Sequence, residues 1–253
     1  MLWLYGKVAA ETGRRVVKGW PALLALPIYP IILGVAGALT APAGMIGGFI
    51  LGFVIAACWS SYLELISQVV EGVRVRLNWD DFKKTFAPRF WDVVSVMFAF
   101  FIISLVTMPL LRGPHALALS AIIGFAIAFF FNAVPELLYQ GSSRSFALLI
   151  DSARFVTDHP VSWLLPNIAF GALALWASGN LRFNHPTELL IVFGNTFSSP
   201  DGVLSLLQGL PLWALPLAVV AAHTAMVFRG ILFRELSSGG GNARMRAFKA
   251  RMR

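Results

Sequence analysis

Apolar runs of bilayer length recur from Gly19 onward, and the connections between them divide sharply by charge. Of 20 Lys and Arg, only Arg112 and Arg182 fall on one side, and all the others fall on the side of both termini. A helix crossing hydrocarbon needs about 20 apolar residues, and short cytoplasmic loops retain Lys and Arg during insertion. The pattern predicts an all-α polytopic membrane protein with six transmembrane helices and both ends cytoplasmic, in a bacterial-type inner membrane. Composition points the same way, because a chain of 253 residues that is 58% apolar and 13% charged lacks the charge to cover a surface in water. The formal charge of +8 would suggest nucleic acid in a soluble domain. Here inner loops and anionic headgroups absorb it, so the bilayer is the expected partner and nucleic acid is not.

Residues 1–18 place Trp3, Leu4, Val8 and Val16 among Lys7, Arg14, Arg15 and Lys18, which reads as an interfacial helix or as an extension of the first span. Residues 19–238 form the six-span domain, and 239–253 form a basic tail behind a flexible glycine hinge. The spans are expected near Trp20–Leu39, Met45–Gln68 after a turn at Ala41-Pro42-Ala43-Gly44, Trp91–Leu111, Ala116–Leu138, Val161–Ser178 and Pro211–Phe233. The first resembles a signal peptide in composition, but it is longer than a usual apolar core and follows a long helical segment, so it is expected to be retained. Trp20, Trp91 and Trp163 fall at inner boundaries and Trp176 and Trp213 at outer ones, as interfacial aromatics should.

Gly48 and Gly52, four residues apart, suggest a close helix crossing in span two. Asn78 is a candidate cap for an amphipathic helix carrying Asp80, Asp81, Lys83 and Lys84 and ending at Pro88. The segment from Phe146 to Val156 should lie against the inner surface. A shift of 72 residues aligns Gly52 with Gly124, Glu64 with Glu136, Pro88 with Pro160 and Trp91 with Trp163. It reads either as three parallel two-helix hairpin repeats or as accidental matching between apolar segments.

Inside the spans the sequence offers Glu64, Asn132, Glu136, Asn167, His223 and Arg229 as candidate substrate-binding or coupling residues. The competing reading is preferred: each carboxylate lies within one turn of the inner interface and pairs with Arg229, Arg74 or Arg234, while His223 and the two Asn fasten helices. Asp80, Lys83, Lys84, Phe146, Arg154, Leu189 and Phe193 are candidate partner contacts, the last two in the external segment Asn180–Leu210. No nucleophile–base motif, phosphate-binding loop or paired-histidine spacing is present, and Cys58 is the single cysteine. The sequence therefore points to no metal, haem or nucleotide site. A non-catalytic subunit or scaffold holding other membrane proteins is the leading expectation. A transporter or permease component with a polar site around Glu136 and His223 is the alternative, with a separate cytoplasmic ATPase as a possible partner of the loop helices.

Overall fold

In a computed structural model the described residues are 2–75, 78–112, 116–141, 145–177 and 215–251. Every regular element among them is helical. They are α1 (Leu2–Lys18), α2 (Pro21–Ala25), α3 (Ile28–Thr40), α4 (Gly44–Glu71), α5 (Trp79–Lys84), α6 (Phe90–Thr107), α7 (Ala116–Phe130), α8 (Val134–Gln140), α9 (Ser145–Asp158), α10 (Pro160–Ala177) and α11 (Leu215–Arg251), with short 3-10 turns at Ala41–Ala43 and Met108–Arg112.

Four helical runs are long and apolar enough to cross a membrane: Pro21–Glu71, Phe90–Thr107, Ala118–Gln140 and Pro216–Ser238. The first has 51 residues, which as one straight helix would reach roughly 75 Å, more than twice a hydrocarbon core of about 30 Å. It is instead folded on itself. Gly44 takes φ 54°, a backbone state that side chains with a Cβ disfavour, and α4 leaves this corner antiparallel to α3. Near the corner, a Cβ on Gly47 would overlap the Thr40 carbonyl; at the other end, the Tyr29 hydroxyl lies 2.9 Å from Ser61 Oγ. Gly48 and Gly52, by contrast, have no atom near where a Cβ would stand, so the close crossing expected there is made by Gly47.

α4 ends at Gly72, φ 80°, whose N–H donates to the Val69 carbonyl at 3.1 Å while that of Val73 donates to Gln68 at 2.9 Å. This paired left-handed stop satisfies carbonyls that the helix leaves open. The following α5 is shorter than expected and ends at Lys84. Thr85 Oγ1 donates to the Phe82 carbonyl at 2.6 Å and contacts Ser61 Oγ at 2.6 Å, so a side-chain hydroxyl replaces the next helical bond. Asn78 occupies the cap position with extended backbone, but its side chain makes no capping bond.

Prolines break two further helices. Pro135 has no N–H to give Phe131, and α7 and α8 are separated by a turn at 131–133. Pro166 lies inside α10 and likewise leaves the Ser162 carbonyl without its usual donor. The last helix remains regular through Gly239, Gly240 and Gly241 to Arg251, where the sequence suggested a hinge.

The core is asymmetric. In the most apolar window of the last run 39% of residues are buried, against 17% in the first and 11% in Ala118–Gln140, which makes α11 the most enclosed of the spans. Phe49, Phe98, Val106, Ile122 and Leu217 are each more than half exposed. Such apolar surface is costly in water and unremarkable against lipid tails.

Candidate functional site

The turn at 131–133 opens backbone carbonyls, and the surrounding helices close them. Ser152 Oγ of α9 donates to the Phe130 carbonyl at 2.8 Å, and Arg229 Nη2 of α11 donates to that of Asn132. The same guanidinium holds Glu136 by two bonds, Nε to Oε1 at 2.7 Å and Nη2 to Oε2 at 2.9 Å. Glu136 is fully buried and Arg229 has 14% of its side chain exposed. Arg229 also lies 5.2 Å from the centre of the Trp163 ring, whose Nε1–H donates to Asn132 Oδ1 at 3.0 Å. Asn167 Nδ2 donates back to the Trp163 carbonyl at 2.7 Å. Thus Asn132, Glu136, Asn167 and Arg229 form one network across α8, α10 and α11, with Trp163 at its centre. In so dry a setting the fork-shaped pair offsets its desolvation cost only because both oxygens and the neighbouring carbonyl are engaged.

Glu64 belongs to a second set. Its carboxylate lies 3.6 Å from Arg89 Nε, and the two Nη atoms of Arg89 donate to the carbonyls of Leu138 and Tyr139 at 3.0 and 3.2 Å. The Arg89 backbone N–H donates to Ser60 Oγ at 3.1 Å. The expected partners Arg74 and Arg234 are not those of Glu64, because α6 begins beside Ser60 and so carries Arg89, just ahead of it, to the level of Glu64. Arg234 instead bonds the Val70 carbonyl at 2.9 Å and Glu11 at 3.1 Å.

A third set ties α1 across this charged end. Tyr5 donates to the Ser162 carbonyl freed by Pro166, at 3.2 Å; Lys7 pairs with Glu235 at 3.0 Å; Glu11 receives Arg15 and Arg234; and Arg15 donates to Val70. One helix therefore touches the start of α10, the middle of α11 and the end of α4, as an interfacial helix lying across the bundle would. Burial pushes the Glu11 carboxyl up, and the Arg15 and Arg234 guanidiniums outweigh it and hold the group below the usual carboxylate range.

His223 stands outside these networks. It is fully buried on α11, and neither ring nitrogen has a hydrogen-bond partner among the described residues. Its ring centre is 6.4 Å from that of Tyr62. Two turns along the same helix face, a Cβ on Gly230 would overlap the Tyr139 hydroxyl and lie 2.7 Å from Val70 Cγ2, while Gln140 Nε2 donates to the Gly230 carbonyl at 2.9 Å. The Tyr139 hydroxyl is buried and also lacks a partner among the described residues.

The candidate partner contacts divide. On α5 the charges neutralise one another, Lys83 with Asp80 at 3.8 Å and Lys84 with Asp81 at 3.5 Å, while Phe82 is buried beneath them. On α9, Leu148, Ser152 and Val156 face inward, whereas Phe146 and Ile150 are each 53% exposed; Arg154 pairs with Asp151 at 3.8 Å. Leu189 and Phe193 lie outside the described residues. Sequence reasoning did not single out Arg89, Tyr5, Glu11, Trp163 or Gln140 as site residues. Pro166 was the available signal for Tyr5, since it marks the Ser162 carbonyl as one that some other donor must satisfy; the other four bond groups that no proline marks. No group of three or more His, Cys, Asp or Glu among the described residues is arranged to hold a metal ion. Compared with family models, curated proteins and solved structures, the chain finds no match.

Proposed function

We propose that this chain is a non-catalytic integral membrane subunit that holds other membrane proteins together. The observation that carries the reading is that the candidate carboxylates and amides near the charged end are already engaged by other side chains and carbonyls of the bundle. Glu136 is held on both oxygens by Arg229, Asn132 and Asn167 are joined through Trp163, and Glu64 is held by Arg89. Groups committed in this way brace helices and offer little to a passing solute. The six-span arrangement rests on four apolar runs, the first folded as a hairpin, together with α10 beside α11. The basic residues at the charged end favour cytoplasmic termini in this reading. The outer face of α9, with Phe146 and Ile150, is the surface we assign to partner proteins.

Transport is the second reading, and His223 is what favours it. An imidazole buried in a span with neither nitrogen bonded among the described residues is costly as a mere brace and suited to binding a polar solute or relaying a proton. Purification from native membranes in mild detergent separates the two. The subunit reading expects a partner at fixed stoichiometry that dissociates when Phe146 and Ile150 are replaced by Ser. A partner-free particle whose solute uptake is abolished by His223→Ala overturns it.

A further inference from the structure

Where α1 turns into α2, the chain presses against the last turns of α4: a Cβ on Gly19 would stand 2.7 Å from Val69 Cγ2. On the outside of this corner is a cavity of about 360 Å³ lined by Arg15, Lys18, Trp20, Val69, Val73 and Arg74, among others. Its lining holds three cations and no acidic side chain. Arg15 is drawn inward by Glu11 and the Val70 carbonyl, but Lys18 and Arg74 are exposed and form no ion pair among the described residues. The nearest acid along the chain, Glu71, accepts a bond from Ser67 at 3.1 Å and does not line the cavity. Beside the cations, Val17 is 74% exposed and Trp20 56%. The corner immediately precedes the first membrane-crossing run, which begins at Pro21.

We propose that this cavity binds the phosphate of an anionic phospholipid. Lys18 and Arg74 engage the phosphate oxygens, Arg15 adds its field from behind, and Trp20 and Val17 receive the glycerol and first methylenes. A free phosphate would use the cations equally well and would leave the apolar walls unexplained. The lipid is therefore the occupant, a conclusion that rests on the membrane placement proposed above.

The test is native mass spectrometry of the full chain released from nanodiscs of mixed phosphatidylcholine and phosphatidylglycerol. One phosphatidylglycerol per chain should be retained in preference to phosphatidylcholine. Lys18→Gln with Arg74→Gln should weaken that retention about thirtyfold, and Arg74→Gln alone, in an exposed non-helical segment, about fivefold. Lys83→Gln with Lys84→Gln removes the same charge from α5 and should leave retention within about twofold. Equal retention of both lipids, an equal loss in the α5 control, or displacement by inorganic phosphate overturns the assignment. Alkaline extraction, run in parallel, distinguishes the causes: a chain that is extracted overturns the membrane placement and the site together, whereas an inserted chain without lipid preference overturns the site alone.

Discussion

Arg229 shows how much one side chain is asked to do inside this bundle. It neutralises Glu136, closes the Asn132 carbonyl left open by the turn at 131–133 and faces the Trp163 ring. Removing either charge leaves the other buried and unpaired, so Glu136→Leu and Arg229→Met should each cost roughly 3–5 kcal/mol. The double substitution should cost less than either one, and a double-mutant cycle in detergent reads the coupling. Additive losses would mean that the two groups do not depend on each other. Gly230 offers a steric counterpart, since a methyl group there must displace Tyr139 or Val70. Gly230→Ala should lose about 1–3 kcal/mol, whereas Gly48→Ala, which meets open space, should stay within about 0.5 kcal/mol of the parent in thermal melts. The Glu136–Arg229 pairing was within reach of the sequence, because a span has few partners for a buried carboxylate. Arg89 as the partner of Glu64 was not, because that pairing depends on where α6 begins beside α4.

Among the elements, α1 has the most to say about assembly. Its attachments are a tyrosine to a proline-freed carbonyl, two ion pairs to α11 and an arginine to the end of α4. Tyr5→Phe leaves the Ser162 carbonyl without that donor and should cost about 0.5–1.5 kcal/mol. The pH dependence follows from Glu11, whose folded-state carboxyl is held below its ordinary value of 4.5. A depressed carboxylate contributes stability that is present above the unfolded value and is lost as pH falls through the lower folded value. Protection of the α1 amides in hydrogen exchange should therefore fall on acidification below about pH 4.5, and Glu11→Gln should remove that dependence. An unchanged profile in the variant would assign the effect to another group. The amphipathic pattern of residues 2–18 announced a helix and left its direction open; contacts scattered over α4, α10 and α11 chose the crossing arrangement.

For the whole molecule, the hairpin at Gly44 and the gathering of Arg89, Arg229, Arg234 and α1 at one end are the organising facts. In a Cys58→Ser background, cysteines at Lys18 and Arg112 should react with an impermeant maleimide from opposite sides of sealed vesicles. Labelling from the same side would contradict the proposed six-span topology. The apolar runs and the one-sided cations were legible in the residues, whereas the break before Pro135 interrupts a span expected to run on to Leu138. Hydropathy and the missing proline N–H act locally and need no knowledge of neighbours.

The sequence by itself determined that the chain is helical, that it carries apolar runs long enough to cross a bilayer and that the Phe131 and Ser162 carbonyls, four residues before Pro135 and Pro166, lose their helical donors. Only the tertiary structure decided which groups replace them, that Gly47 and Gly230 rather than Gly48 and Gly52 stand at close contacts, and that His223 stands apart from the Arg229 network. The reason is geometric. An apolar helix in lipid has no strong facial pattern, so its rotation, and with it every partner, is chosen by packing and by the few polar groups that must find one another.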